Sequence, residues 1–272
     1  MAIKMYTKSD LLADIKNMGV NPQGALLIHS SMKAIGPVEG GADTVLDAWC
    51  QYMGEGLLIF PTHTWKYIGQ GKEQTVFDSR TLPSCVGILP ELFRHRPGVV
   101  RSLHPTHSVA ALGKGAAAYT AGEEQAHSPC PRDGCWGRLL DLDADILFLG
   151  CTLRSNTFIH GVEEWEGIPN RLTEETRPIT IIGPQGEEYR TDARFHYCPA
   201  GDVSENYDKL EKPFLKHGAI RYGTFGDAKC IISNARKMRA TACALLEKNP
   251  DLFLDAQAVP EEWYGQLQIP PV

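Results

Sequence analysis

The chain has 272 residues, of which 43% are hydrophobic and 22% charged, the composition of an ordinary globular protein with room for one large core. A formal net charge of −6 argues against a nucleic-acid partner, whose footprint would be basic. No apolar run reaches the roughly 18 residues of a membrane span. The first residues, Met1-Ala2-Ile3-Lys4-Met5-Tyr6, lack the apolar centre of a signal peptide, so a cytoplasmic protein is expected, as a monomer or homodimer.

Ser9 opens a predicted helix carrying Leu11, Leu12, Ile15 and Met18 at helical spacing, with Gly19 as its stop. Residues 25–28 predict a short buried strand running into His29-Ser30-Ser31-Met32-Lys33. A helix is expected over 42–53, with Val45, Leu46, Trp49 and Tyr52 on its apolar face. Residues 56–60 read as a second strand, ending at Pro61-Thr62-His63-Thr64-Trp65. The polar stretch 66–83 reads as a long loop, followed by a helix with Val86, Leu89, Leu92 and Phe93 on one side. Arg101-Ser102-Leu103-His104-Pro105-Thr106-His107-Ser108 is an unusually polar entrance to a strand over 109–113. An alanine-rich stretch with Glu123 and Glu124 and a turn at 128–134 lead to a short helix through Trp136, Leu139 and Leu140, then a buried strand at 145–150.

Beyond residue 169 the texture changes. Residues 179–183 and 187–191 predict a hairpin around Pro184-Gln185-Gly186, followed by Phe195-His196-Tyr197. A helix from Ser204 to 217, strands over 220–226 and 228–232 and a terminal helix over 234–248 complete the chain. The expected architecture is a single α/β domain over 1–272, a mixed sheet flanked by helices, with an inserted antiparallel hairpin region at about 170–232. The eight cysteines form no CxxC pair and read mostly as small core residues.

Chemistry concentrates where buried strands end in polar residues, a common ligand-binding position in α/β proteins. Three such places occur, at Ser30, at His63 and around His107. Hydroxyls and free N–H groups at the first could hold an anion or amide, and Arg101 with its neighbouring hydroxyls could clamp a phosphate. The segment Asn156-Thr157-Phe158-Ile159-His160-Gly161-Val162-Glu163-Glu164-Trp165 follows the 145–150 strand. In a helix, His160 and Glu163 or Glu164 share a face, the arrangement of a general base with an orienting carboxylate.

These motifs, in order, resemble the aminoglycoside 3-N-acetyltransferases, an acetyl-CoA-dependent antibiotic N-acetyltransferase family distinct from the GNAT fold. The resemblance runs from His29-Ser30-Ser31 and Gly36 through Pro61-Thr62-His63-Thr64-Trp65, Phe77-Asp78, Arg101-Ser102 and His104-Pro105. It continues through Ser128-Pro129 and Leu149-Gly150 to Thr157, His160 and Glu163. It implies direct transfer of an acetyl group to the 3-amino group of a polycationic aminoglycoside, with His160 as the catalytic base. It implies coenzyme A contacts from Ser30, Ser31, Met32, Lys33, Arg101, Ser102, Leu103, His107 and Ser108. For the aminoglycoside it implies Thr62, His63, Trp65, Asp78, Glu163 and Glu164. The family's glutamate partner from a later strand is not matched here; Phe195-His196-Tyr197 stands near its place, leaving Glu163, Glu164 and His196 as alternatives. Two other readings stand beside this one: the same chemistry on a different amine, or a zinc hydrolase built from the histidines, although no HExxH or CxxC supports it.

Overall fold

The computed structural model describes residues 5–267. Met1 to Lys4, part of the stretch weighed above as a signal peptide, lie outside the described residues. No helix among the described residues is long and apolar enough to cross a membrane.

The chain begins with α1 (Lys8–Asn17), closed at its start by a capping box between Thr7 and Asp10, so its cap lies two residues before the expected Ser9. Strand β1 (Ala25–Ser30) follows, then α2 (Gly41–Tyr52), β2 (Leu57–Pro61) and β3 (Val76–Asp78). The middle of the chain supplies α3 (Ile88–Phe93), β4 (Val100–Arg101), β5 (Val109–Gly113), α4 (Ala116–Thr120), α5 (Cys135–Asp141), β6 (Asp145–Leu149) and α6 (Thr157–Trp165). The last third holds β7 (Arg177–Ile182), β8 (Glu188–Ala193), α7 (Glu211–Lys216), β9 (Ile220–Phe225), β10 (Ala228–Asn234), α8 (Ala235–Lys248) and α9 (Glu261–Tyr264).

Seven strands form the main sheet in the order β4-β5-β2-β1-β6-β10-β9. Its centre, β2-β1-β6, is parallel, and antiparallel strands complete both edges. The central strands are continuous apolar runs because both faces are covered. Leu26, Ile28, Leu58, Phe60, Leu147 and Leu149 pack with residues of α1, α2 and α3 on one side. Leu27, Ile59, Ile146 and Phe148 pack with α5, α6 and α8 on the other. The two-residue period of the strands sorts neighbouring side chains between these layers.

A second sheet, β3-β7-β8, builds the expected hairpin and adds a strand that the polar 66–83 stretch concealed. In β3 only Phe77 is fully buried, between Val76, which is exposed, and Asp78. One apolar residue gives no readable alternation, and the strand exists because its backbone pairs with β7. The expected helix over 204–217 also differs: a 3₁₀ segment, Val203–Leu210, capped by Asp202, precedes α7. Pro213 has no N–H to donate to Lys209 and its ring would meet that carbonyl, so a continuous α-helix cannot cross this point.

Gly150 closes β6 at a φ of 68°, and a Cβ there would lie 2.4 Å from Ala34 Cβ. Glycine lets the chain turn against the Met32–Ile35 3₁₀ turn after β1, drawing two strand ends together.

Candidate active site

The carboxyl ends of β1 and β2 and the start of α6, which follows β6, meet at one edge of the central sheet. The segment before β5 joins them through Ser108, whose carbonyl accepts from the Thr62 N–H at 2.7 Å, and Thr106, which accepts from the Thr64 N–H at 2.9 Å. Together they border a cavity of about 680 Å³, lined by five histidines, at positions 29, 63, 107, 160 and 196, with Ser30 and Trp65. Arg154, Arg171, Tyr197, Asp202 and Ser204 also line it.

His160, in the first turns of α6, is the centre of a three-residue relay. Its Nδ1 lies 2.8 Å from the Tyr207 hydroxyl, and that hydroxyl donates to Glu163 Oε2 at 2.6 Å. A phenol has one proton, and a carboxylate only accepts, so the Tyr207 proton goes to Glu163 and the oxygen receives Nδ1–H from His160. The imidazole's basic nitrogen is therefore Nε2. Glu163 is fully buried and its other oxygen accepts from Arg171 Nε, so both oxygens act as acceptors, as the ionised form requires. Burial pushes the Glu163 carboxyl above the usual range, against the pull of Arg171 and Tyr207. The direct approach of Glu163 to Nδ1 is 3.9 Å, so it orients His160 through Tyr207 rather than by contact.

The imidazoles pack ring to ring. Centroids are 4.2 Å apart for His160 and His196, 4.8 Å for His196 and His107, and 4.7 Å for His107 and His63. Burial pushes His29 and His160 down to about 3. It holds His63, His107 and His196 well below the ordinary value and lowers His104, with neighbouring imidazoles adding to the shift at His63, His107 and His196. The cluster is thus uncharged at neutral pH. Among the described residues no three His, Cys, Asp or Glu side chains group as ligands around one point; the rings pack on each other at tilted angles instead, and the zinc-hydrolase reading lacks a built centre.

Of the expected site residues, Ser30, His63, Trp65, His107, His160 and His196 line the cavity. Others point elsewhere. The Arg101 guanidinium, expected at a phosphate, donates to the carbonyls of Ser79, Leu82 and Thr62 and to Ser108 Oγ, and lies over Phe77. Ser108 and Thr62 bond each other at 2.9 Å, and Ser102 accepts from the Val109 N–H. Leu103 packs beside the small-sheet core and Met32 beside the main core, while Lys33 is exposed and Ser31 half-buried on the turn after β1. Asp78, expected to meet the antibiotic, is bound bidentately by Arg80, which lowers it to about 2. Glu164 faces away from His160 and accepts from Ser128 Oγ and the Cys130 N–H, one turn position sufficing to turn it outward. His196 packs against the His160 ring at a tilt but makes no hydrogen bond to it.

Arg101→Met should therefore cost stability rather than coenzyme affinity. Buried carbonyls left without a donor cost about 1–3 kcal/mol each, so denaturant unfolding should lose at least that much. Calorimetric CoA affinity of the folded variant should stay near that of the parent chain. A selective loss of CoA affinity at unchanged stability would return Arg101 to the cofactor.

Tyr207, Arg171 and Asp202 were not foreseen. Tyr207 is fully buried with Val203 and Leu210 on one face of the 3₁₀ segment. A buried tyrosine hydroxyl needs a partner, the signal that could have marked it.

Residues 27–247 match the family described as aminoglycoside 3-N-acetyltransferase. Aminoglycoside N(3)-acetyltransferase VII of Streptomyces paromomycinus is 31% identical over 89% of this chain and 92% of its own. Aminoglycoside N(3)-acetyltransferase III of Acinetobacter baumannii is 27% identical over 90% and 93%. Among solved structures, a histidine-to-alanine variant of acetyltransferase AAC(3)-IVa in complex with a gentamicin superposes with a TM-score of 0.79, at 25% identity over 96% of this chain and 95% of that one. The CoASH binary complex of AAC-IIIb shares the fold, with a TM-score of 0.77 at 22% identity over 90% and 97%. Fold and relatives together define an acyltransferase. The chain belongs to the aminoglycoside 3-N-acetyltransferase family, whose co-substrate is acetyl-CoA.

Proposed function

We propose that this chain transfers the acetyl group of acetyl-CoA directly to the 3-amino group of an aminoglycoside, with His160 Nε2 as the general base. The observation that carries this is the relay Glu163–Tyr207–His160, which puts the ring proton on Nδ1 and leaves Nε2 without a partner among the described residues. A protonated amine cannot attack a carbonyl, so a base held neutral before the amine arrives is required. Burial keeps the ring neutral but also weakens it as a base, so the transfer relies on Tyr207 and Glu163 to stabilise the imidazolium as Nε2 takes the proton.

Acetyl-CoA supplies an activated thioester carbonyl and a thiol leaving group. The Ser30 end of β1 and the turn after it fit the pantetheine arm: Ser30 Oγ is buried without a partner, on a residue that lines the cavity. In this reading exposed Lys33, on the same turn, would meet the phosphates. On the acceptor side, Asp202 replaces Asp78 and Glu164 as the carboxylate at the cavity wall, beside Trp65 and Ser204.

One observation favours a second acceptor class. Arg154 and Arg171 also line the cavity, and Arg171 is already committed to Glu163. Arg154 is paired with Glu205, and among the described residues Asp202 is the one acidic residue lining the cavity. A wall so poor in carboxylates suits an amine with fewer positive charges than a typical aminoglycoside.

Free-thiol release from acetyl-CoA, measured over gentamicin-type and neomycin-type aminoglycosides and simple monoamines, tests both. Acceptor-dependent release is expected. Fastest turnover with a monoamine would favour the second class, and no release above spontaneous hydrolysis would defeat acetyl transfer.

A further inference from the structure

Buried polar atoms in native proteins nearly always have partners, and those that lack one call for an explanation such as a water, an ion, strain or a catalytic role. Three imidazole nitrogens are in that position here: His29 Nε2, His63 Nδ1 and His196 Nε2, all on residues lining the cavity. Of these, His63 has its other nitrogen anchored, and the anchor decides what the free nitrogen can do.

We propose that His63 is a second catalytic residue, donating Nδ1–H to the thioester oxygen as that oxygen gains negative charge. This rests on the acetyl-transfer reading above. His63 Nε2 lies 3.1 Å from Thr157 Oγ1, and Thr157 Oγ1 has no other partner among the described residues. If Nε2 carried the proton, the threonine O–H and the Nδ1 lone pair would both be buried unpaired. If Nε2 accepts from Thr157, the hydroxyl is satisfied and the one ring proton sits on Nδ1. The second arrangement leaves a single unsatisfied group, a buried donor on a residue that lines the cavity.

Position and charge fit the role. Thr157 and His160 lie three apart on α6, so the residue that fixes the donor and the base itself share a helix face. The ring contacts from His63 through His107 and His196 return to His160, closing a circuit around one end of the cavity. His63 is 3% exposed and burial holds it neutral. A neutral donor stabilises an oxyanion without placing a second cation beside the incoming ammonium group, which a lysine or arginine there would do.

The step balances without an added reactant. The amine lone pair forms the N–C bond while the carbonyl pair moves to oxygen, which the Nδ1–H bond receives. The tetrahedral species collapses as the carbonyl re-forms and the C–S bond breaks. The incoming ammonium's first proton passes through His160 Nε2 to solvent, which frees the lone pair; the second N–H proton then passes to His160 Nε2 and on to the departing thiolate. His63 keeps its proton throughout.

His63→Leu should lower kcat by about 10²–10³-fold, with CoA affinity and Tm close to the parent values. His63→Asn places an amide where Nδ1 was and should recover most of that loss. His63→Gln, whose amide falls nearer the Nε2 position, should not. Nitrogen-15 NMR of the imidazoles in the resting protein should show His63 as the Nδ1–H tautomer, and Thr157→Val should erode that preference. Leu and Asn variants that are equally slow at equal Tm, a His63→Leu variant as fast as the parent, or an Nε2–H tautomer would each overturn the proposal. Wild-type protein that releases no thiol with any amine would instead overturn the acetyl-transfer reading, and this proposal with it.

Discussion

His160→Ala should slow acetyl transfer by about 10²–10⁴-fold, the usual contribution of a positioned general base, or roughly 3–5 kcal/mol of barrier. Calorimetric CoA binding should persist, because the Ser30 strand end and its turn are untouched. The His160 side chain is only 18% exposed and its ring packs on His196 and Tyr207, so truncation should also lower Tm, and rates are compared below the variant's unfolding temperature. Tyr207→Phe isolates the orienting step. It removes the acceptor for Nδ1–H while keeping the ring that packs on Phe253, so kcat should fall by less than for His160→Ala and KM should hold. It also leaves Glu163 with Arg171 alone. Equal losses for the two variants would mean that the tautomer, not the base, carries the effect; no loss for His160→Ala would remove His160 from the chemistry.

The fold should also fail in mild acid. Six imidazoles, His29, His63, His104, His107, His160 and His196, have folded values below the ordinary one, His29 and His160 at about 3. The unfolded chain takes up protons near pH 6.5, while the folded cluster does not. Stability is therefore fully present above about pH 6.5 and is lost as pH falls from there toward the folded values, by up to ~1.4 kcal/mol per pH unit for each imidazole. Glu163, Glu164 and Asp145 have raised values and act with the opposite sign, stabilising the fold as they protonate. Three acids do not offset six imidazoles, and a domain holds only about 5–15 kcal/mol in reserve. Circular dichroism should record unfolding above about pH 4.5, before most carboxylates titrate. A flat stability between pH 7 and 5 would show that the cluster is hydrated or partly charged in the folded protein.

The central strands β1, β2 and β6 could be read from the chain because each is a short apolar run, and the polar residues after them marked the cavity; β4, two residues long, could not be read. The small sheet could be read only in part: Ile179 and Ile181 alternate visibly, whereas β3 offers Phe77 alone. His160 and Glu163 stood out by their spacing. Their connection did not, because Tyr207 is 44 residues beyond Glu163 and sits in a segment whose pattern suits any half-buried helix. Sequence also cannot tell a free charge from a spent one. Arg101, Asp78 and Glu164 have the right chemistry for phosphate or amine, and local partners claim each of them: Arg101 by loop carbonyls, Asp78 by Arg80, Glu164 by Ser128. The histidines reverse that lesson. Scattered over 168 positions, from His29 to His196, they form one packed cluster only because the ends of β1 and β2, the β5 entrance, α6 and the segment after β8 converge.

The most direct test is the product itself. Acetyl-CoA, a 3-amino aminoglycoside and the purified protein should yield an acceptor one acetyl group heavier, with NMR placing the amide at N3. The same mixture with His160→Ala should give almost none, and the intact mass of the protein should show no acetyl group at any time during turnover. An acetyl group found on the protein, or N3 product formed equally well without His160, would contradict direct transfer with His160 as the base.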